Sequence, residues 1–303
     1  MTTKTNNNQL IVKQITDSII TQLEAGVAPW VKPWSASSSS FGAPCNPSSG
    51  TKYRGINWLW LSMLQAEGSH GSSNEWVTYK QAQAMGAQVR KGAKGVTVCF
   101  YKPLQVNEVN AAGDNESKTI PMLKTFTVFN RDLVDGLPVD ETIEETIERD
   151  EFQTIEECEA FINESGAIIK HGGDRAFYMP SSDYIQLPER KAFNSTADYY
   201  ATALHELSHW TGHKARLDRD FSKSKKWGDS AYAFEELVAE LSSAMLCSHN
   251  QIDGKLQHAS YIENWLKVLK SDHRAIFKAA AEAQKVLDFL TVEQVEFEEQ
   301  LAA

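Results

Sequence analysis

The stretch HELSHWTGH, from His205 to His213, constrains the fold of this chain more than any other feature of its sequence. Its three histidines are spaced four residues apart, and on a helix this spacing places them on one face. An H-E-x-x-H helix binds zinc through its two histidines, while the glutamate accepts a proton from bound water. The motif therefore predicts His205 and His209 as metal ligands and Glu206 as the catalytic base. The alternative is a helix with solvated histidines.

The motif leaves the third ligand open. His213 lies two helical turns from His205, roughly 11–12 Å along the axis, which is too far for both residues to share one tetrahedral ion. A metzincin places its third histidine at position 215, and this position is Ala215 here. The remaining source is a glutamate from the next predicted helix, which contains YAFEELVAEL.

The E-x-x-A-E pattern in that helix resembles the E-x-x-x-D/E pattern of glutamate-liganded zincins, whose first acid binds the metal and whose last acid supports a histidine. The resemblance implies Glu236 as the third ligand and Glu240 as the acid that holds a ring N–H in place. Glu235 remains an alternative ligand, and a solvated acidic helix face is the alternative for the whole cluster. Tyr232 is either a polarising hydroxyl or a packing residue.

Charge divides the chain into two unequal parts. Residues 1–137 contain 13 Lys and Arg against 9 Asp and Glu, whereas the remainder contains 17 against 31, within a net charge of −10. The stretch GLPVDETIEETIERDEF combines a helix breaker with an acidic run, which is typical of a linker. We therefore expect a domain at 1–137, an acidic linker at 138–150 and a second domain at 151–303.

Two further features predict where the protein is found. No apolar stretch reaches the length needed to span a membrane. The four cysteines are scattered and form no C-x-x-C pair, which suits a reducing compartment. We therefore expect a cytoplasmic protein.

Hydrophobic spacing predicts an α+β fold. We expect helices at QLIVKQITDSIITQLEAG, at STADYYATALHELSHWTGH with Ser195 or Thr196 as its N-cap, and near the C-terminus. GVTVCFYKPLQV and MLKTFTVFN predict a strand pair, and RAFYMP and DYIQLP predict two short strands. Residues near Tyr184 to Leu187 are expected to hold an extended peptide by β-augmentation.

The first half combines aromatic residues with cations. Five of the eight tryptophans lie within the first 76 residues. Aromatic rings that stack on bases, beside cations that contact phosphates, are the ingredients of single-strand binding, although core packing is the alternative for the tryptophans. The candidate DNA-binding residues are Trp30, Trp34, Lys52, Tyr53, Arg54, Lys80, Arg90, Lys91 and Lys94.

Five stretches in order, PWVKPW, NPSSGTKYRGIN, TYKQAQAMGAQVRKGAKG, HELSHWTG and YAFEELVAEL, resemble the ArdC antirestriction proteins of conjugative plasmids. The resemblance covers nearly the whole chain. It implies an N-terminal α/β domain that binds single-stranded DNA and a C-terminal zincin-like metallopeptidase domain, mainly helical with a small edge sheet.

The same resemblance implies that the protein protects incoming plasmid DNA from host restriction. The expected cofactor is Zn²⁺ or another divalent transition metal. The expected partners are single-stranded DNA and, as targets of a peptidase, subunits of host restriction enzymes. The alternative function is a non-catalytic DNA-binding protein that shields DNA and whose metal is structural.

Overall fold

The structure, a computed structural model, describes residues 2–30, 42–109, 115–138, 151–219, 230–253 and 261–302. The described residues of the first half form three helices and five strands. In chain order these are α1 (Thr2–Glu24), α2 (Ile56–Glu67), β1 (Trp76–Thr78), α3 (Tyr79–Ala84), β2 (Gln88–Val89), β3 (Val96–Val109), β4 (Asn115–Asn130) and β5 (Val134–Asp135). As predicted, α1 ends next to Gly26, which has a φ of 76° that glycine adopts readily.

A long antiparallel ribbon dominates the first half. β3 and β4 pair from Val96↔Val128 to Val109↔Asn115, and β1 joins the other edge of β4 to give the order β1-β4-β3. This confirms the predicted strand pair. Directly after β1, the Thr78 side chain accepts a hydrogen bond from the backbone N–H of Gln81, so a capping box starts α3.

The second half is mainly helical with one small sheet. Its described elements are α4 (Glu151–Glu164), β6 (Ile168–His171), β7 (Phe177–Met179), β8 (Tyr184–Leu187), α5 (Thr196–Thr211), α6 (Ser230–His249), α7 (Ile262–Ser271) and α8 (Ala275–Ala302). The sheet order is β6-β8-β7, with β8 parallel to β6 and antiparallel to β7. The α+β class is therefore confirmed.

This sheet order contradicts the expectation that the strand at Tyr184 to Leu187 binds a peptide along its edge. β8 holds residues Tyr184 to Leu187, and it pairs with β6 on one side and β7 on the other. Both rows of its backbone hydrogen-bonding groups are therefore occupied, and β8 has no edge to offer a peptide. Within the described residues, the open edges of this sheet belong to β6 and β7.

One hydrophobic core joins the two halves of the chain. It includes Val12 and Ile19 of α1, Leu204 of α5 and Val286 of α8. Helix α1 packs on α7, and α2 packs on α8. The predicted linker at 138–150 lies almost wholly outside the described residues, so the domain boundaries stay a prediction.

Candidate metal centre and nucleic-acid groove

Helix α5 carries the H-E-x-x-H motif. Its N-cap is Ser195, whose side chain accepts a hydrogen bond of 3.0 Å from the backbone N–H of Asp198. His205 and His209, one turn apart, lie with their ring centroids 4.9 Å from each other. The side chain of His205 is 4% exposed and that of His209 is 12% exposed. The helix therefore presents two adjacent, shielded imidazoles on one face.

Helix α6 packs against α5 and brings a carboxylate to both rings. Oε2 of Glu236 lies 3.6 Å from Nε2 of His205, and Oε1 lies 3.7 Å from Nε2 of His209. One ligand atom from each of the three residues falls within 4.8 Å of the other two. Two ligands bound tetrahedrally at about 2.0–2.1 Å lie roughly 3.3 Å apart, so this donor set fits one divalent ion after small adjustments.

Each imidazole also has a carboxylate on its other side. Oε1 of Glu240 lies 3.9 Å from Nδ1 of His205, and Oε1 of Glu235 lies 3.3 Å from Nδ1 of His209. Of the two adjacent glutamates, Glu236 thus joins the cluster, while Glu235 faces the ring nitrogen that points away from it. Carboxylates in such positions fix the tautomer and orientation of a ligating histidine.

An arginine holds Glu235 in place. The guanidinium of Arg219 donates to Oε1 and Oε2 of Glu235, to the carbonyl oxygen of Ser208 and to Oγ1 of Thr211. Only 7% of the Arg219 side chain is exposed. No sequence motif points to Arg219, because its side chain reaches the site only through the turn that follows α5.

The charges in this cluster are complementary. Burial raises the pKa of Glu236, but the charge of His209 and hydrogen bonds from His205 and His209 outweigh burial and hold this pKa far below its usual range. Burial lowers the pKa of His209, but the charge of Glu236 and the hydrogen bond to Glu235 raise it well above its ordinary value overall. Glu236 is therefore a carboxylate, the form that a metal ion requires.

Two further residues border the cluster. Glu206 follows His205 directly and is buried at 7% exposure, and its charge is among those that raise the pKa of His209. The hydroxyl of Tyr232 lies 3.1 Å from that of Tyr261. Burial and this hydrogen bond raise the pKa of Tyr232, so its hydroxyl keeps its proton.

His213 does not belong to the cluster. Its Nδ1 accepts a hydrogen bond of 3.2 Å from the backbone N–H of Ala215, in the turn after α5. Helix α5 ends at Thr211, so His213 lies beyond the helix rather than on its histidine face as the spacing predicted.

Two aromatic residues that were predicted to stack on DNA, Trp30 and Tyr53, are buried in the structure. Trp30 is 1% exposed and packs edge-to-face against Trp265 at 5.3 Å, so its ring has no free face. Tyr53 is 9% exposed, and its hydroxyl donates to the carbonyl of Trp76. The hydrophobic core buries both rings, which leaves little surface for stacking, although Tyr53 also lines the groove described below. Trp34 lies outside the described residues.

The predicted cations fall into two groups. Lys52, Arg54 and Lys80 line one groove in the first half, and Arg54 also pairs with Asp288 of α8. Three others lie outside this groove, near the turn before β3, where Arg90 pairs with Asp135. These three are Arg90, Lys91 and Lys94, and all are exposed.

The groove has a volume of about 1070 Å³ and lies between the β3–β4 ribbon and the start of α3. Four aromatic rings in its wall are unusually exposed for their type: Tyr79 at 43%, Phe100 at 45%, Tyr101 at 54% and Phe126 at 46%. Lys124 also lines it, directly opposite Phe100 in the ribbon register. The sequence singles out none of these five residues, because a strand pattern does not reveal which face stays open.

The groove is positive. No described residue that lines it is acidic, although the chain has 40 Asp and Glu and a net charge of −10. Within the described part of the chain, Lys52, Lys80 and Lys124 are exposed and form no ion pair. The groove thus offers cations and apolar ring surface to the same ligand.

Among the described residues, no helix is long and apolar enough to cross a membrane.

The two halves of the chain match two different protein families. The N-terminal domain of anti-restriction factor ArdC matches residues 9–129, and a zincin-like metallopeptidase family matches residues 156–282. The predicted two-domain architecture is therefore confirmed, although its boundaries are not tested.

Two solved structures resemble the whole fold. The metal-free crystal structure of antirestriction ArdC protein from the R388 plasmid has a TM-score of 0.77 and 41% identity, and the match covers 94% of this chain and 98% of that one. The Mn(II)-bound structure has a TM-score of 0.73 and 39% identity, covering 93% of this chain and 97% of that one.

Curated relatives extend the comparison. DNA primase TraC of Escherichia coli is 42% identical over 95% of this chain, which spans only 28% of that protein's length. A second Escherichia coli TraC is 41% identical, and the chain spans 20% of its length. Protein y4eC of Sinorhizobium fredii (strain NBRC 101917 / NGR234) is 40% identical, and the match covers 94% of this chain and 92% of that protein.

Proposed function

This chain belongs to the ArdC antirestriction family, and from that premise we propose that it protects incoming plasmid DNA by binding single strands with its first half and holding a catalytic divalent ion in its second. The observation that carries the proposal is the shielded His205, His209 and Glu236 cluster. Zinc is the proposed ion, because two histidines and one glutamate form a common catalytic zinc set. The Mn(II)-bound relative supports a divalent ion in general.

In this proposal Nε2 of His205, Nε2 of His209 and the carboxylate of Glu236 hold the ion. When bound, the ion would act as a Lewis acid and would lower the pKa of a water molecule. Glu206 accepts a proton on its carboxylate and later returns it to the leaving amine. Glu206 is buried and directly follows the ligand His205, which places its carboxylate near the ion.

A variant of Glu206 separates catalysis from a purely structural metal. Glu206→Gln and Glu206→Ala remove the base but keep all three ligands, so both variants should retain about one metal ion per chain by mass spectrometry. Cleavage of purified restriction-enzyme subunits should then fall by about 10²–10⁴-fold. His205→Ala should lose the ion itself. If the wild type binds metal but cleaves nothing, the non-catalytic alternative is correct.

The DNA half of the proposal uses the groove rather than the buried tryptophan. Unpaired bases stack on Tyr79, Phe100 and Phe126, while phosphates contact the lysines that border these rings. Most amide groups of the wall are engaged within the fold: Asn57 bonds both backbone groups of Cys99, and the amide oxygens of Gln81 and Asn46 accept from the backbone N–H groups of Thr78 and Ser48. With few free groups to read base edges, the groove should bind without strong sequence preference.

Fluorescence anisotropy with an oligodeoxythymidine tests the groove in the full-length protein. Phe126→Ala should weaken binding roughly 5- to 150-fold, since each lost stack is worth about 1–3 kcal/mol, with little change in salt dependence. Lys124→Ala should reduce the salt slope by about 0.7. Lys91→Ala, an exposed cation outside the groove, is the matched control.

Two outcomes would contradict the DNA half. If Lys91→Ala weakens binding more than the groove variants do, the cations before β3 are the site. If the wild type binds duplex more tightly than a single strand, the proposed stacking is wrong.

The antirestriction role itself is tested by conjugation. Transfer of an unmodified plasmid into a restricting recipient, relative to a non-restricting one, should rise when the donor plasmid encodes this chain. An unchanged ratio would refute the proposal.

A further inference from the structure

Arg219 and Glu235 form a shielded ion pair directly behind the metal cluster. The side chains are 7% and 13% exposed, and Nη2 of Arg219 lies 3.0 Å from Oε1 of Glu235. Nε of Arg219 lies 3.2 Å from Oε2, so both carboxylate oxygens are engaged. The same guanidinium reaches the carbonyl of Ser208 and the hydroxyl of Thr211 on α5. The arginine therefore ties α6 to the end of the helix that carries both histidines.

Stability alone is a weak explanation for this pair. Moving a guanidinium and a carboxylate out of water is costly, and apolar residues of similar volume often stabilise a core equally well. Here the pair touches His209, because Oε1 of Glu235 also lies 3.3 Å from Nδ1 of that ring. The location points to a role in arranging the site.

The site has an ambiguity that this pair resolves. Glu235 and Glu236 are adjacent on α6, and both carboxylates approach the same imidazole, at 3.3 Å from Nδ1 and 3.7 Å from Nε2. A divalent ion attracts either carboxylate. The cation of Arg219 neutralises Glu235, whereas Glu236 faces two histidines.

We propose that Arg219 is a positioning residue that decides which of the two glutamates binds the metal. It holds Glu235 on Nδ1 of His209, which keeps the proton on that nitrogen and turns Nε2 toward Glu236. It also keeps Glu235 out of the ligand set. This inference rests on the proposed metal centre, but it concerns only how the ligands are selected.

Cobalt(II) provides a test that does not depend on activity, because its visible spectrum reports ligand number and geometry. In the full-length protein, Arg219→Gln should bind Co²⁺ about 10–100-fold more weakly than the wild type and shift the spectrum. Arg219→Lys should recover part of the affinity, since an ammonium keeps the charge but not the two-point contact. The Arg219→Lys variant also serves as the test if Arg219→Gln does not fold.

A double variant isolates the route of the effect. If Arg219 acts through Glu235, then Arg219→Gln combined with Glu235→Gln should lose no more Co²⁺ affinity than the weaker-binding single variant. Fully additive losses would overturn the proposal.

Arg216 supplies a matched control. It is also shielded, at 11% exposure, but it pairs with Asp183 rather than with a glutamate of α6, and its guanidinium stacks on Trp210. Arg216→Gln should therefore lower the thermal midpoint but leave Co²⁺ affinity and spectrum unchanged. An equal loss of affinity in both arginine variants would reduce the role of Arg219 to general stability.

The wild type separates failure of this inference from failure of the metal centre. If wild-type protein and His205→Ala bind Co²⁺ equally, the proposed centre is wrong and the inference falls with it. If they differ but Arg219→Gln matches the wild type in affinity and spectrum, only the inference is wrong.

Discussion

Trp30 and Phe126 are both large aromatic residues of the first half, yet Trp30 is 1% exposed and Phe126 is 46% exposed. Arg54 and Lys124 both line the groove, but Arg54 already pairs with Asp288. Residue type therefore does not settle which side chains can meet a ligand. The neighbours of each side chain in the fold determine whether it stays available to a ligand. Different neighbours also distinguish the glutamates of α6.

The glutamates of α6 give a graded prediction. Glu236→Ala should lose most metal affinity, because it removes one of three proposed ligands. Glu240→Ala should lose only about 10–100-fold, because Glu240 supports His205 from behind. Metal affinity measured by competition with a chelator checks the order. A larger loss in Glu235→Ala than in Glu236→Ala would show that the neighbouring glutamate is the ligand.

Helices α5 and α6 form the frame of the metal cluster. α5 fixes the spacing of His205 and His209 through its own hydrogen bonds, and packing against α6 sets the position of Glu236. The start of α5 is held by the Ser195 cap, whose loss would leave a backbone N–H without this partner. Stability of this element should therefore depend on the cap.

Ser195→Ala should destabilise the protein by about 1 kcal/mol, within the range of 0.5–2 kcal/mol for lost N-caps. Urea denaturation measures the difference. Ser195→Gly is the comparison, since glycine at an N-cap costs only about a few tenths of a kcal/mol. Because the cap lies more than two turns from His205, metal stoichiometry should not change. Equal stability of the alanine variant and the wild type would mean that the cap contributes nothing.

The two halves of the chain pack against each other, although the uneven distribution of charge along the sequence suggests separate domains. α1 and α2 pack on α7 and α8, and Trp30 contacts Trp265 across the two halves. A continuous core couples the stabilities of the parts that share it. We therefore expect the proposed DNA groove and the proposed metal cluster to unfold together, and both are best tested in the full chain.

Trp30→Ala should destabilise the whole protein by roughly 3–5 kcal/mol, the usual cost of removing a buried tryptophan. Tyrosine and tryptophan fluorescence and metal release should then show the same denaturant midpoint, because both halves share the core. DNA affinity below that midpoint should stay near the wild-type value. A metal centre that persists after the first half unfolds would show that the halves fold independently.

Local patterns were sufficient for much of this protein. The spacing of HELSHWTGH predicts that His205 and His209 are adjacent on a helix, and of the two expected N-caps, Ser195 and Thr196, the structure has Ser195. The β3–β4 ribbon, β7 and β8 followed from runs of β-branched and aromatic residues. Helical and strand periods act over a few residues, so the amino-acid order alone carries them.

Tertiary packing decided the rest. β6 was not predicted, and its pairing with β8 turned a supposed edge strand into a central one. Whether Glu235 or Glu236 joins the two histidines depends on how α6 packs against α5, and Arg219, which pairs with Glu235, lies in a separate turn. Trp30 is likewise buried, whereas Phe126 stays exposed. These outcomes depend on contacts between residues far apart in the chain, and no local period contains that information.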